Sequence, residues 1–456
     1  MGTKKTIFNA PAKIVISFIV LILFGTFLLC TPIASTSGQW WGFTDALFTS
    51  TSAVCVTGLV VVDTAVHFTI FGQIVLLFLI QIGGLGFISI SAMIILVAGK
   101  RLSYKNRVAL QESLNKDSNQ GVVMLIKKIA LIVFSIEGVG FMLLLPSMII
   151  QYGGAGIFKA MFLSVSAFCN AGFDVMGTTG VQFQSLAPFA QNVFVLLPIM
   201  FMIVFGGIGY SVILEIVGKF DKATRKVFSF HAKVVLQMTI FLIMIGTILF
   251  AIFEWNNPLT IGDMPVFQKI MNSLFQSITP RTAGFATFDQ ANLTSSSRVV
   301  MDFLMFIGGS PTSIAGGVKT TTIYVLLVAA FRPSSVNGDV IVRRKQIPSH
   351  VVRKCLRIVF SAIILFVVST LLILVVEYHN SVATSSAVVF EVLSALSTVG
   401  STLGLTPTLS VMSKLILTML MFVGRVGALT LSFAIHHKSP DAYGEIKYPE
   451  TNLIVG

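Results

Sequence analysis

Charge is the scarcest property of this chain of 456 residues: Asp, Glu, Lys and Arg together make up 11% of it, where a water-soluble fold carries about 25%. That shortage, with 55% hydrophobic side chains and a mean hydropathy of +0.91, excludes an ordinary soluble domain. Cysteine is scarce too. Cys30, Cys55, Cys169 and Cys355 have no metal-ligand spacing and imply no disulfide framework, so they read as small packing side chains. The histidines (His67, His231, His350, His379, His436 and His437) stand near span ends or in loops, again without metal spacing. A polytopic membrane enzyme would need His, Asp or Glu clustered at matched depth, and no such cluster is present. The run Gly84-Leu85-Gly86-Phe87-Ile88-Ser89 has a superficial likeness to a dinucleotide loop, but it lies in an apolar helix with no strand before it. Asn292-Leu293-Thr294 matches a glycosylation sequon only as a weak pattern.

Long apolar runs are what the chain has in abundance: 14–29, 70–97, 129–150, 194–216, 234–253, 299–307, 323–330, 358–376 and 415–435. Several reach the ~20 residues that cross a bilayer as a helix, and a helix satisfies its own backbone in lipid, so an α-helical membrane bundle is expected. The formal charge of +13 does not signal nucleic acid, because Lys and Arg gather at Lys4 and Lys5 and in loops 100–107, 219–233 and 332–354. In the alternate loops Lys159, Lys269, Arg281, Arg298 and Lys414 stand singly. By the positive-inside pattern both termini and the three basic loops face the cytoplasm. Lys4 and Lys5 ahead of the first apolar run resemble a signal peptide, but the length of the run and the segments that follow favour a retained first span.

Four short turns recur: Cys55-Val56-Thr57-Gly58, Cys169-Asn170-Ala171-Gly172, Arg281-Thr282-Ala283-Gly284 and Ser397-Thr398-Val399-Gly400, their glycines 114, 112 and 116 residues apart. A fixed period in a membrane chain means one unit repeated. The units fall at 1–100, 101–220, 221–335 and 336–456. Each reads as a long span, a short half-polar helix (41–53, 157–168, 266–278 and 387–396), the glycine turn, an outer stretch and a second span. The short helices cannot cross. Their C-terminal ends each carry about −0.5 of an elementary charge, so four of them aimed at one point favour a cation there. A ring of backbone carbonyls is how proteins replace the water shell of an alkali cation, and the dissimilar side chains Thr57, Ala171, Ala283 and Val399 suit a backbone ligand. All four turns are expected on the outer side.

The second spans carry Gly83-Gly84, Gly206-Gly207, Gly308-Gly309 and Gly424-Arg425-Val426-Gly427, small residues expected to let helices pack closely. The third copy departs: Gly308-Gly309-Ser310-Pro311-Thr312-Ser313-Ile314-Ala315-Gly316-Gly317-Val318-Lys319 costs a helix about 1 kcal/mol per Gly and ~3 for Pro. It predicts a broken helix, a flap under the turns. Arg425 within an apolar run costs at least ~2.5 kcal/mol and must face water or a partner; Glu215 and Asp302 are candidate partners.

With these residues the chain resembles the Trk/Ktr/HKT superfamily of potassium transporters, most closely the membrane subunit of bacterial Ktr-type uptake systems. The likeness runs over essentially the whole chain, and the start at the first repeat, without extra N-terminal spans, favours the Ktr type over the Trk type. The resemblance implies an all-α membrane protein with four span–re-entrant pore helix–span repeats around a pseudo-fourfold pore. It implies a K⁺ selectivity filter formed by the carbonyls of residues 55–58, 169–172, 281–284 and 397–400, with glycine at Gly58 going with potassium preference. It implies a homodimer and a cytosolic ring of nucleotide-binding regulatory subunits, since no soluble nucleotide-binding domain is read in this chain, and uptake stimulated by Na⁺. It places Arg425 in the pore below the filter, acting with the flap as a barrier. Lys319 either snorkels to the cytoplasm or pairs across the pore. Arg281 should turn from the ion path toward Glu391 or another short-helix acid, and Glu137 should be a buried hydrogen-bonding group. The expectation is K⁺ uptake, with a proton-coupled Trk-type transporter as the near alternative and no organic cofactor on this chain.

Overall fold

The computed structural model describes residues 10–86, 122–220, 227–332, 339–342 and 345–427. Lys4, Lys5, the basic loop 100–107 and the tail carrying His436 and His437 lie outside the described residues. Apolar side chains cover the outside of this bundle as well as filling most of its core. Among the described residues three helices are long and apolar enough to cross a membrane: Val123–Tyr152 within α5 (Val122–Tyr152), α9 (Phe230–Glu254) and α13 (Ser349–Val376). Their apolar side chains point outward, as at Leu131, Ile240 and Phe360. α1 (Ala10–Cys30) matches the first apolar run. The hydroxyls and amides are inside, on four short helices: α2 (Phe43–Val54), α6 (Ala155–Phe168), α10 (Val266–Ile278) and α14 (Ser385–Leu396). Ser52, Ser166, Asn272, Ser277 and Ser394 on them are fully buried. A low-polarity solvent outside rewards that arrangement, because polar groups must find partners within the protein.

A second helix follows each short one: α4 (Ile70–Leu85, after the single turn α3, Thr64–His67), α7 (Val193–Ile208), α11 (Ser295–Phe306) and α15 (Val411–Val426). Each starts on a side-chain cap. Thr69, Asn192, Thr294 and Ser410 accept from the N–H groups of Gly72, Phe194, Ser297 and Ser413, satisfying donors that a helix start leaves free. Each of these helices packs on the next short helix along the chain: α4 on α6, α7 on α10, α11 on α14, and α15 back on α2. The contacts therefore close into a ring.

Two features differ from the sequence reading. The small residues of the second spans were expected to serve packing within continuous helices, with a break in the third copy alone; in fact all four end early. Gly86, Gly209 and Gly427 cap α4, α7 and α15 at φ of 82°, 92° and 89°, a backbone region that glycine enters without strain. At Gly209 the chain bends by 107° into α8 (Tyr210–Phe220). The third copy breaks earlier, after Phe306, and resumes as α12 (Thr320–Phe331). Part of the basic loop 332–354 is a small antiparallel hairpin, β1 (Val340–Val342) with β2 (Lys345–Ile347).

Candidate functional site

The four short helices end on the four glycine turns, and the turns share one backbone geometry. Two residues ahead of each glycine stands a non-glycine residue at positive φ: Val56 at 58°, Asn170 at 54°, Thr282 at 73° and Thr398 at 52°. The glycines themselves lie at 98°, 68°, 75° and 92° for Gly58, Gly172, Gly284 and Gly400. Three of the four non-glycine residues are β-branched, for which this conformation is most costly, about 1–3 kcal/mol each. Hydrogen bonds back to the helix over-determine the strain. Thr57, Ala171 and Val399 donate their N–H groups to the carbonyls of Ser52, Ser166 and Ser394, each at 2.8 Å. The third turn differs, Ala283 N–H reaching Thr279 O at 2.9 Å. Ser52 and Ser394 hydroxyls accept from Gly58 and Gly400 N–H, both at 3.0 Å, whereas Ser166 and Thr279 hydroxyls donate to Phe173 and Phe285 carbonyls, both at 2.6 Å.

The glycines stand in a closed cycle. A β-carbon on Gly58 would lie 2.5 Å from Ala171 O, one on Gly172 2.9 Å from Ala283 O, one on Gly284 2.4 Å from Val399 O, and one on Gly400 2.2 Å from Thr57 O. Each would also come within 3.2 Å of the next glycine's Cα. All four line the floor of a single cavity of about 530 Å³. The carbonyls of residues 55–58, 169–172, 281–284 and 397–400 accept no hydrogen bond among the described residues, although nearly all of these residues are buried. Buried carbonyls are ordinarily paired. The arrangement therefore offers oxygen ligands to a desolvated cation.

The second spans press on the ends of the short helices. A β-carbon on Gly83, Gly206 or Gly424 would fall within about 2.1 Å of the carbonyls of Val54, Phe168 and Leu396, so glycine here does serve close packing. Gly308 instead meets Gly316 O, within its own segment. That segment, 307–319, is a loop. Its foot is closed by Thr320 N–H to Gly309 O at 3.1 Å and by Ser310 Oγ with Thr320 Oγ1 at 3.0 Å. Pro311, Thr312 and Ser313 lie against Gly209, and Gly316 and Gly317 lie against Ser397 and Thr398 of the fourth turn. Ser310 N–H donates to Gly207 O at 2.9 Å.

The charged residues take partners that the sequence did not indicate. The Arg425 guanidinium donates to Ile314 O in the loop and to Gly83 O and Gly84 O at the end of α4. Neither Glu215 nor Asp302 meets it: Glu215 accepts from Ser229 N–H and Oγ, and Asp302 Oδ1 has no partner. Lys319 donates its ammonium to Ala315 O and Gly316 O of its own loop. Arg281 does turn away from the cycle, but its partner is Thr239 Oγ1 on α9 at 3.4 Å, not Glu391, which accepts from Thr406. Glu137 is buried and accepts from Gln81 Nε2 at 3.0 Å, as expected of a hydrogen-bonding group. Lys414 with Asp45, at 2.8 Å, is the one ion pair among the described residues.

On the cavity side, Asp174 Oδ1 accepts from Met176 N–H at 3.0 Å; burial pushes this carboxyl up to about 6, with that N–H pulling against the rise. A staple missed in the sequence is repeated at the outer ends of two spans. Glu254 accepts from Thr294 N–H and Oγ1, and Glu377 from Ser410 N–H, while Asn257 and Asn380 brace the second carboxylate oxygen of each. The shared pattern Glu-aromatic-x-Asn, at 254–257 and 377–380, was the available signal.

A bundle with an apolar exterior, short inner helices that bury hydroxyls and amides, and a cycle of unpaired carbonyls under one open cavity belongs to the class of membrane transport proteins, not enzymes. The family described as "TrkH: Cation transport protein" matches residues 4–444, and the chain belongs to it. It is 37% identical to the potassium/sodium uptake protein NtpJ of Enterococcus hirae over 98% of this chain and 97% of that protein. It is 36% identical to the Ktr system potassium uptake protein B of Bacillus subtilis, again over 98% and 97%. The solved structure of the potassium transporter TrkH from Vibrio parahaemolyticus superposes with a TM-score of 0.72, covering 96% of this chain and 87% of that one at 19% identity, and so shares the fold.

Proposed function

We propose that this chain is the ion-translocating subunit of a bacterial potassium uptake system, in which the four glycine turns form a K⁺ selectivity filter at the centre of four repeated units. The observation that carries this reading is the closed cycle of Gly58, Gly172, Gly284 and Gly400 with its unpaired carbonyls. The relatives named as potassium uptake proteins support the choice of ion. The filter binds the ion well enough to dehydrate it and weakly enough to release it. An inside-negative potential drives entry, at about 2.3 kcal/mol per charge per 100 mV. Loop 307–319 and Arg425 act as the barrier beneath. Gly308, Gly309, Ser310, Pro311, Thr312, Ser313, Gly316, Gly317 and Lys319 give the loop its foot and its contacts with the second and fourth units. A cytosolic nucleotide-binding subunit biases that barrier, and two copies of the chain form a dimer. The names of lettered components of a Ktr system among the relatives are consistent with a partner.

Rubidium uptake into vesicles, with and without Na⁺, tests the reading. Uptake that competes with K⁺ and rises with Na⁺ is expected. Uptake indifferent to Na⁺ but driven by a pH gradient selects a proton-coupled transporter instead. Gly58→Ser should admit Na⁺ and lower K⁺ preference about tenfold, since its side chain meets Ala171 O in the ring. An unchanged K⁺/Na⁺ ratio would reject the filter.

A further inference from the structure

The cavity above the glycine cycle is charged in one sense only. Asp174 and Asp289 line it, and no Lys or Arg does among the described residues. The other polar residues on its wall, Gln182, Gln184, Gln290 and Ser401, are neutral. Asp174 follows Gly172 by two residues and is therefore the acid nearest along the chain to a filter oxygen. The nearby ammonium is Lys159, on α6, whose charge acts on Asp174 from a distance without pairing with it. Lys159 donates to Val175 O and stands over the Tyr152 ring, 4.5 Å from its centroid. A third acid, Asp63, does not line the cavity and its carboxylate is already engaged: Ala65 and Val66 N–H reach Oδ1, and Phe183 N–H reaches Oδ2 at 2.6 Å. Asp63 thereby pins the outer stretch of the second unit across the mouth. Ser401, 3% exposed, lines the same cavity next to Gly400, and its Oγ has no hydrogen-bond partner.

We propose that this cavity is a capture site for a hydrated alkali cation, with the Asp174 carboxylate as its charged group and Ser401 Oγ as an additional oxygen, loading the filter below. The inference rests on the filter reading. A fixed negative charge between low-dielectric walls focuses the field and raises the local concentration of cations, an effect that salt screens. The site acts on capture and leaves discrimination between K⁺ and Na⁺ to the carbonyls.

The test measures rubidium uptake against external rubidium, in right-side-out vesicles from cells expressing the full chain, at low ionic strength and with added choline chloride. In the unaltered protein the half-saturating rubidium concentration should rise with choline chloride; no dependence on salt overturns the proposal without recourse to a variant. Asp174→Asn should raise half-saturation about threefold to tenfold at low salt, with the difference shrinking as salt increases. Asp174→Glu should keep most of the affinity. Asp263→Asn, an exposed acid away from the cavity, should leave half-saturation unchanged; an equal effect there would mean diffuse surface charge and sink the site. Gly58→Ser separates the two readings. If it alters K⁺/Na⁺ discrimination while Asp174→Asn leaves half-saturation alone, the capture site alone is wrong. If Gly58→Ser leaves discrimination untouched, the filter falls and the capture site with it.

Discussion

At the scale of single residues, the glycine cycle sets limits that differ from one member to the next. Gly400 is the tightest: its φ is 92° and a β-carbon would lie 2.2 Å from Thr57 O. Gly172 is the loosest, at 68° and 2.9 Å. Alanine tolerates the left-handed region near φ of 60° better than the region beyond it. Gly400→Ala should therefore cut rubidium uptake by about tenfold or more, and Gly172→Ala by only about threefold. Equal losses would mean that contact distance is not what these positions require. Arg425 makes a different demand. Its guanidinium bonds Ile314 O in the loop on one side and Gly83 O and Gly84 O at the end of α4 on the other, and so ties two chain segments together. If the loop and Arg425 form the proposed barrier, Arg425→Ala removes its tie and its charge, and the maximal uptake rate should rise severalfold in proteoliposomes. An unchanged rate would count against the barrier.

At the scale of elements, the Glu377 staple has a pH signature. Burial pushes its carboxyl up, but the hydroxyls of Ser410 and Ser413, the Asn380 amide and the Ser410 N–H outweigh burial and bring it down to about 2, from 4.5. A carboxyl held lower in the folded state stabilises that state above its unfolded value and loses the contribution as pH falls. The stabilisation is therefore complete above pH 4.5 and disappears as pH drops through about 2. Glu377→Gln should lower the Tm by a few degrees at pH 7 and flatten its decline over that acid window, measured by thermal unfolding in detergent. Much of the element plan was legible in the sequence. The short helices were placed within about two residues of Phe43–Val54, Ala155–Phe168, Val266–Ile278 and Ser385–Leu396, because each is a half-polar stretch closed by a glycine turn. The breaks at Gly86, Gly209 and Gly427 were not legible. A glycine inside an apolar run reads equally as a packing notch or as a cap, and only its φ decides. Hydropathy identified the buried cations but not their acceptors, since Arg425, Lys319 and Arg281 all settle on carbonyl or hydroxyl oxygens that no charge pattern marks.

At the scale of the whole molecule, the ring closure of α4 on α6, α7 on α10, α11 on α14 and α15 on α2 makes each unit's second helix a wall for the next unit's turn. The third unit departs from this plan: its glycine Gly308 packs on its own loop where Gly83, Gly206 and Gly424 pack on short-helix carbonyls. The electrochemical gradient sets the direction of net ion movement through a passive path, and the sidedness of the molecule decides whether the cavity or the loop meets the outside. The glycine cavity belongs to the end carrying Trp40 and the starts of the short helices, and the opposite end carries the hairpin β1–β2 amid the basic residues Arg332, Lys345, Arg353 and Lys354. The positive-inside pattern assigns the hairpin to the cytoplasm. Trp40→Cys, at a side chain 69% exposed, should react with a membrane-impermeant maleimide in right-side-out vesicles and be shielded in inverted ones. Gln346→Cys, exposed on β2, should show the reverse. The same pattern for both cysteines would place the two ends on one side and remove the basis for reading the cavity as the outward-facing mouth.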